Sequence, residues 1–371
     1  MTARRNPPFR AEHVGSLLRP RALKDAFRAI GQNQISPAQF EDTLNICIRD
    51  AVKLQESLGL RVVTDGEFRR GSWFNAFLDA VDGLEERPSL FDFHDASGGT
   101  AAFATAYCAG PLERTRGITT DEFAFVKSAA KTGTPKVTMP APSVMHFFRP
   151  GEAMDRAAYP DEETYWRDLT RVYREEIAAL GELGCTYVQL DEVPCAMLGS
   201  EVVRAKTKAA KWDPDALATR YIAAINAAVA DRPAGMTIGL HMCQGNYKGR
   251  WMSEGGYGWI AERLFNGADV DAFFLEYDSA RAGGFEPLRH MPAGKTAVLG
   301  LVSTKMPQME DKGVLKRRVD EAARFCALDR LAISPQCGFA SSVAGNPISE
   351  DDQKRKLALV VETAAEIWGS A

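Results

Sequence analysis

Short apolar runs rich in β-branched residues alternate along this chain with stretches whose apolar positions recur every three or four residues. The runs are "AEHVGS", "RVVTDGE", "PKVTMPAP", "TYVQLDE", "TIGLHMC", "DAFFLEYD", "TAVLGLVS" and "RLAISPQC". Each reads as a strand buried on both faces, as in a parallel sheet. The wider spacing marks amphipathic helices. Leu169, Val172, Tyr173, Ile177 and Leu180 form one stripe, and Leu357, Val360, Val361, Ala364, Ile367 and Trp368 form another. Helix starts are punctuated as well: Ser36-Pro37 with Gln39 offers an N-cap, a proline in the first turn and a capping box, and Asp213-Pro214 repeats the cap and the proline.

Eight strands alternating with helices predict an α/β chain folded as a (β/α)8 TIM barrel, a single catalytic domain over residues 1–371. A doubly wound sheet would alternate too, but no Gly-x-Gly-x-x-Gly follows the first strand. The rhythm breaks between Leu84 and Arg116, where "RPSLFDFHDASGG" precedes an apolar "TAAFATAYCAG". This stretch, residues 84–116, is expected to be a β-hairpin insertion in the barrel.

Composition narrows the partners. Apolar residues make up 45% of the chain and charged ones 25%, with a net charge of -4. Such a balance gives no general attraction to nucleic acid or to an anionic membrane, so the expected partners are small molecules. No apolar run approaches the roughly 20 residues that span a bilayer, and "MTARRNPPFR" lacks the apolar centre of a signal peptide. A cytoplasmic protein is expected. Seven cysteines with no Cys-x-x-Cys pair do not look like a disulfide framework. Cys47 and Cys326 fall on apolar sides of helical patterns and read as buried, inert thiols, while Cys108, Cys185 and Cys195 stay open.

The candidate chemistry sits where the strands turn polar: Ser16, Asp65 with Glu67, Asp191 with Glu192, His241 with Cys243, Glu276, and Cys337. In a barrel these ends form one rim, the rim that carries catalytic groups. Polar residues also mark any junction of strand and loop, which accounts for the carboxylates but poorly for the cysteines. His241 and Cys243, two apart, point to one side of a strand. With Cys337 and one carboxylate they would fill a tetrahedral site, and sulfur and imidazole donors favour zinc over magnesium or calcium.

These segments resemble a known family. "GLHMCQGN", "FFLEYD" and "SPQCGFAS" are similar to the zinc-bearing segments of cobalamin-independent methionine synthase, and "EHVGSLLRP", "VVTDGEFRR" and "YVQLDEVP" are similar to its other strand-end motifs, in the same order. The resemblance covers nearly the whole chain and points to short, single-barrel relatives of the catalytic C-terminal domain. It implies His241, Cys243, Glu276 and Cys337 as zinc ligands, Gly15 and Ser16 at the carboxylate of an amino-acid thiol, and Glu67 with Asp191 at its amino group. The implied activity is S-methylation of homocysteine, with zinc keeping the thiol deprotonated and Glu276 as the exchangeable ligand.

The chain departs from the family at two places. Where the methionine synthases carry Asp-Ile-His, with a histidine placed to protonate the leaving folate nitrogen, this chain has "LGLVSTKMPQ". Where they carry Gly-Pro-Val-Thr and a tryptophan for the pterin, it has Pro140-Ala141-Pro142-Ser143 and Phe147-Phe148. The donor is therefore open between a methylated folate and a simpler methyl compound. His13 and His146 are candidate proton donors, since histidine titrates in the useful range. Lys305 could serve only with a strongly lowered pKa. Other readings of the same residues are an epoxide-opening transferase resembling epoxyalkane:coenzyme M transferase, a zinc hydrolase, and a structural zinc in a binding protein. Glu67 and Asp191 favour an amino-acid thiol over a sulfonated one.

Overall fold

The computed structural model describes residues 6–371. Six of the expected strands form one parallel sheet, in the order Leu331–Pro335, Thr296–Val302, Ala272–Glu276, Thr237–Met242, Tyr187–Asp191 and Val137–Pro140. Val62–Val63 pairs in parallel with Thr134–Pro135, the stretch leading into Val137–Pro140. "AEHVGS" contributes less than a full strand. Only Ala11 bridges, in parallel with Ile333, and from there Glu12 N donates to Ile333 O at 2.9 Å while Ile333 N donates to Arg10 O at 2.9 Å. Between the first and second segments run bonds from Leu17 N to Gly66 O, 3.0 Å, and from Thr64 Oγ1 to Gly15 O, 2.7 Å.

Alternation along the strands sorts the side chains onto two faces. Val62, Tyr187, Phe274, Val298 and Ala332 meet in one small cluster with Phe9 and Ala272. Their neighbours Val63, Val188, Phe273, Leu299 and Ile333 belong to the large core shared with the helices. Gly239 is needed here because a Cβ would come 2.9 Å from the Phe274 ring. The small cluster adjoins a buried polar group in which the Lys136 ammonium donates to the His13 carbonyl and reaches Gln189 Oε1 at 3.0 Å and Glu12 Oε2 at 3.4 Å. Following that face toward the strand ends leads from Tyr187 through Gln189 to Asp191, from Gly239 to His241, and from Phe274 to Glu276. The geometry of strands thus delivers the polar ends to one place.

Both helical stripes bury as read. Glu162–Glu182 buries Leu169, Val172, Tyr173, Ile177 and Leu180, and Glu350–Trp368 buries Leu357, Val360, Ala364 and Trp368, with Val361 and Ile367 half-buried. Ser36 and Gln39 form the capping box, and the Asp213 side chain caps the helix that begins at Pro214.

The antiparallel pair in the break begins earlier than Leu84: Val81–Pro88 pairs with Ala104–Arg114, and a smaller hairpin, Phe93–His94 with Thr100–Ala101, forms its tip. The base of this unit is tied to the helix Glu162–Glu182 by Glu176, which is fully buried. Its carboxylate meets Arg114 at 2.8 Å and accepts from Ile118 N, Thr119 N and Thr119 Oγ1 at 3.0, 2.6 and 2.8 Å. Truncating one side of such a cluster strands the other. Glu176→Ala is therefore expected to lower the unfolding free energy by about 3–5 kcal/mol, read as a fall in the urea midpoint at constant slope; a loss below about 1 kcal/mol would mean that the cluster contributes no more than a surface pair.

Candidate metal centre and substrate pocket

His241, Cys243 and Cys337 converge. One ligand atom from each lies within 4.8 Å of the others, and all three residues are buried. Cys243 follows the strand that carries His241, and Cys337 lies two residues past the end of Leu331–Pro335. Their sulfurs are 3.7 Å apart. Two sulfurs bound at about 2.3 Å to one tetrahedral ion stand roughly 3.8 Å from each other, so this separation suits zinc. The His241 ring supports the same fit: Nδ1 is 3.0 Å from Asp191 Oδ1, and the buried Nε2 has no hydrogen-bond partner. A carboxylate on Nδ1 fixes the tautomer that leaves Nε2 free for a metal.

The trio is electrostatically coupled. The contact with Cys243 holds the Cys337 thiol well below its ordinary range, against burial and with help from His241. The same contact, together with burial, pushes Cys243 well up. Burial lowers the His241 imidazole, but the hydrogen bond to Asp191 and the nearness of the Cys337 sulfur outweigh it and lift the group to about 10. The two raised groups, Cys243 and His241, thus stand against one lowered thiol, Cys337. A cation can replace their protons.

Glu276 stands beside this trio and outside it. Its fully buried carboxylate accepts from Gln244 N at 2.9 Å through Oε2, while Oε1 faces Lys305 Nζ at 3.2 Å and Arg281 Nη2 at 3.5 Å. Lys305 is consequently no lowered-pKa acid: burial pulls it down, yet Glu276 raises it above its ordinary value.

A cavity of about 50 Å³ opens on the trio and is lined also by Ser16, Glu67 and Asp191. Gly15 lies at φ +143°, and a Cβ there would meet Thr138 Cγ2 at 2.5 Å, so the chain can turn tightly beneath Ser16 only with glycine. Glu67 also has a positive φ, 58°. Its Oε1 accepts from Thr138 Oγ1 at 2.8 Å and faces Arg70 at 3.7 Å, leaving the buried Oε2 without a partner. Burial raises this carboxyl to about 7, with Arg70 opposing and Asp191 adding to the rise. Asp191 accepts from Gln189 Nε2 at 2.8 Å in addition to its contact with His241.

Neither proton-donor candidate lines the cavity. His13 is buried on the opposite side of its segment from Glu12, and burial, then the charge of Lys136, takes it to about 3. His146 stacks on Trp212 at 4.5 Å with Nδ1 3.0 Å from the Tyr221 hydroxyl, and burial likewise takes it to about 3. Residues that the sequence reading passed over do more. Trp73, Phe93 and Met252 line the cavity, and Phe93 comes from the tip of the antiparallel unit. That tip is held by paired backbone bonds between His94 and Trp251 at 2.7 and 3.0 Å and by Asp95 with Arg250 at 2.9 Å. Arg19, buried, donates to the carbonyls of Glu67, Arg70 and Ala340 at 2.5, 2.9 and 2.6 Å, joining three of the loops around the pocket. Its only sequence signal is an arginine inside the apolar "GSLLRP".

All seven cysteines are free and buried, and among the described residues only Cys243 and Cys337 belong to a metal-competent cluster. No helix among the described residues is long and apolar enough to cross a membrane.

Residues 9–365 match the family model described as the catalytic domain of cobalamin-independent synthase. The Bacillus subtilis (strain 168) protein named "Uncharacterized protein YxjH" is 38% identical over 98% of this chain and 96% of its own length. A methionine synthase of Pyrococcus abyssi is 25% identical, over 88% of this chain and 85% of that one. A solved structure from Listeria monocytogenes superposes with a TM-score of 0.79 at 31% identity, covering 99% of this chain and all of the other. With a match of this extent, the chain belongs to the cobalamin-independent synthase family, in its catalytic domain.

Proposed function

We propose that this chain is a zinc-dependent thiol methyltransferase that takes homocysteine, or a close amino-acid thiol, as methyl acceptor. The observation that carries the reading is the meeting of three zinc-type donors with two buried carboxylates in one small cavity. His241, Cys243 and Cys337 would hold the metal, with Glu276 as an exchangeable fourth ligand. Bound there, zinc supplies a Lewis acid that keeps a substrate thiol in its nucleophilic thiolate form. The protein's own groups do the rest. Glu67 Oε2 and Asp191 bind the ammonium, the turn at Gly15 and Ser16 receives the carboxylate, and Asp191 keeps His241 in register. Trp73, Phe93 and Met252 shield the reacting sulfur from water.

The eight parallel segments, with inner side chains from five of them in one cluster, support a (β/α)8 barrel, one catalytic domain carrying the insertion as a cover. Its expected place of action is the cytoplasm and its expected partners are small molecules. Two cysteines in the donor set favour thiol chemistry over a zinc hydrolase. The carboxylates Glu67 and Asp191 favour an ammonium-bearing thiol over a sulfonated one.

The test is zinc-edge X-ray absorption before and after homocysteine is added. The sulfur neighbours are expected to rise from two to three. An unchanged count would remove homocysteine as the metal-bound thiol.

A further inference from the structure

We propose that Lys305, with Arg281, is the dock that receives the Glu276 carboxylate when it leaves the metal position, so that an arriving thiol can take its place. This rests on the zinc-transferase reading and names the positioning residues it requires. Three donors converge without Glu276, although Glu276 lies on the strand next to His241, one residue beyond the paired Leu275 and Met242. A fully buried carboxylate needs a cationic partner. Besides a metal, Glu276 has two cationic partners, and in this structure its Oε1 faces both, Lys305 Nζ at 3.2 Å and Arg281 Nη2 at 3.5 Å.

The dock is built, not incidental. Lys305 follows the strand Thr296–Val302, whose Gly300 pairs with Glu276, and its side chain is 4% exposed. The preceding Thr304 is pinned by Gln336 Oε1 at 2.7 and 3.0 Å and by the Gly338 carbonyl at 3.0 Å. Asn346 Nδ2 donates to the Thr304 carbonyl at 2.9 Å. Arg281 is held over the Trp251 ring at 4.3 Å. Gln244 N, adjacent to the metal-site cysteine, fixes the other oxygen of Glu276. The carboxylate therefore has a complete resting place beside the metal position.

Without the ammonium, the metal becomes the strongest cation left for Glu276, and closing on it would strengthen metal binding while blocking the thiol. The experiment compares zinc-loaded wild type with Lys305→Met, Lys305→Arg and the double variant Lys305→Met/Glu276→Gln. Zinc affinity is read by chelator competition and homocysteine affinity by calorimetry, both independent of turnover. Lys305→Met is expected to bind zinc about tenfold more tightly and homocysteine about tenfold more weakly, the scale of changes around a metal ligand. Lys305→Arg should stay near wild type, and the double variant should lose both shifts. If Lys305→Met does not fold, Arg281→Met, which removes the more exposed partner, should move both affinities the same way by a smaller factor. Equal affinities in wild type and Lys305→Met, or shifts that persist in the double variant, would overturn the dock. Wild type that binds no homocysteine would instead overturn the transferase reading.

Discussion

Cys337→Ser is expected to weaken zinc binding by about 10²- to 10³-fold and to abolish methyl transfer in a chain that stays folded. A four-ligand zinc site is worth roughly 10–16 kcal/mol near neutral pH, so one thiolate carries about a quarter of that. Cys337 is the thiol held low by Cys243 and His241, so its loss removes the sulfur that both other donors face. The fold should survive because serine is close to cysteine in size and Cys337 lies beyond the end of its strand, at one edge of a core that spans the sheet and the helices. Chelator treatment of the wild type should act alike, giving an inactive protein with a near-native circular dichroism spectrum. Cooperative unfolding on metal removal would reveal a structural zinc. Acid should favour metal loss: His241 and Cys243 hold protons that a metal must displace, so zinc affinity falls as pH falls.

Much of this site was legible in the sequence because strands obey a period of two. A histidine and a cysteine two apart must share a face, and the apolar runs showed where that face ends. The same rule, applied to "AEHVGS", would have set His13 aside: Glu12 meets Lys136 and Tyr187 among the inner residues, which turns His13 outward toward the helices. His146 fell outside the rule altogether, because Val144–Phe147 is a short helical turn that packs its ring among Trp166, Trp212 and Tyr221. The beginning of the antiparallel pair at Val81 was hidden because the alternation that would mark a strand is blurred by a register shift between Asp82 and Leu84.

What the sequence could not display are partnerships set by tertiary packing. Glu276 stands at a strand end, as read, but its contacts with Lys305 and Arg281 join segments whose proximity only the fold decides. Arg19 and Arg70 are similar. Arg70 is paired with Glu122, 52 residues away, at 2.5 Å and donates to the Thr138 carbonyl at 2.7 Å, so it frames Glu67 from behind. Local pattern identifies which residues can do chemistry; long-range charge pairing decides their state.

Glu67 and Asp191 should separate by substrate. With homocysteine, Glu67→Gln is expected to lower kcat/KM by about 10²- to 10³-fold, the cost of removing one partner of a buried charge pair. With 4-mercaptobutanoate, which has the thiol and carboxylate but no ammonium, the same variant should stay within about threefold of wild type, since no charge pair is lost. Asp191→Asn should impair both substrates, because Asp191 also orients His241, and it should weaken zinc by about 10- to 100-fold. The pH dependence carries the same sign. Burial raises Glu67 to about 7, so below that pH it is increasingly protonated and loses its hold on an ammonium. The KM for homocysteine should therefore climb about tenfold between pH 8 and pH 6 at saturating zinc, while that for 4-mercaptobutanoate stays nearly level. Equal losses on the two thiols in Glu67→Gln would place the ammonium elsewhere and leave Glu67 as a structural partner of Arg70 and Thr138.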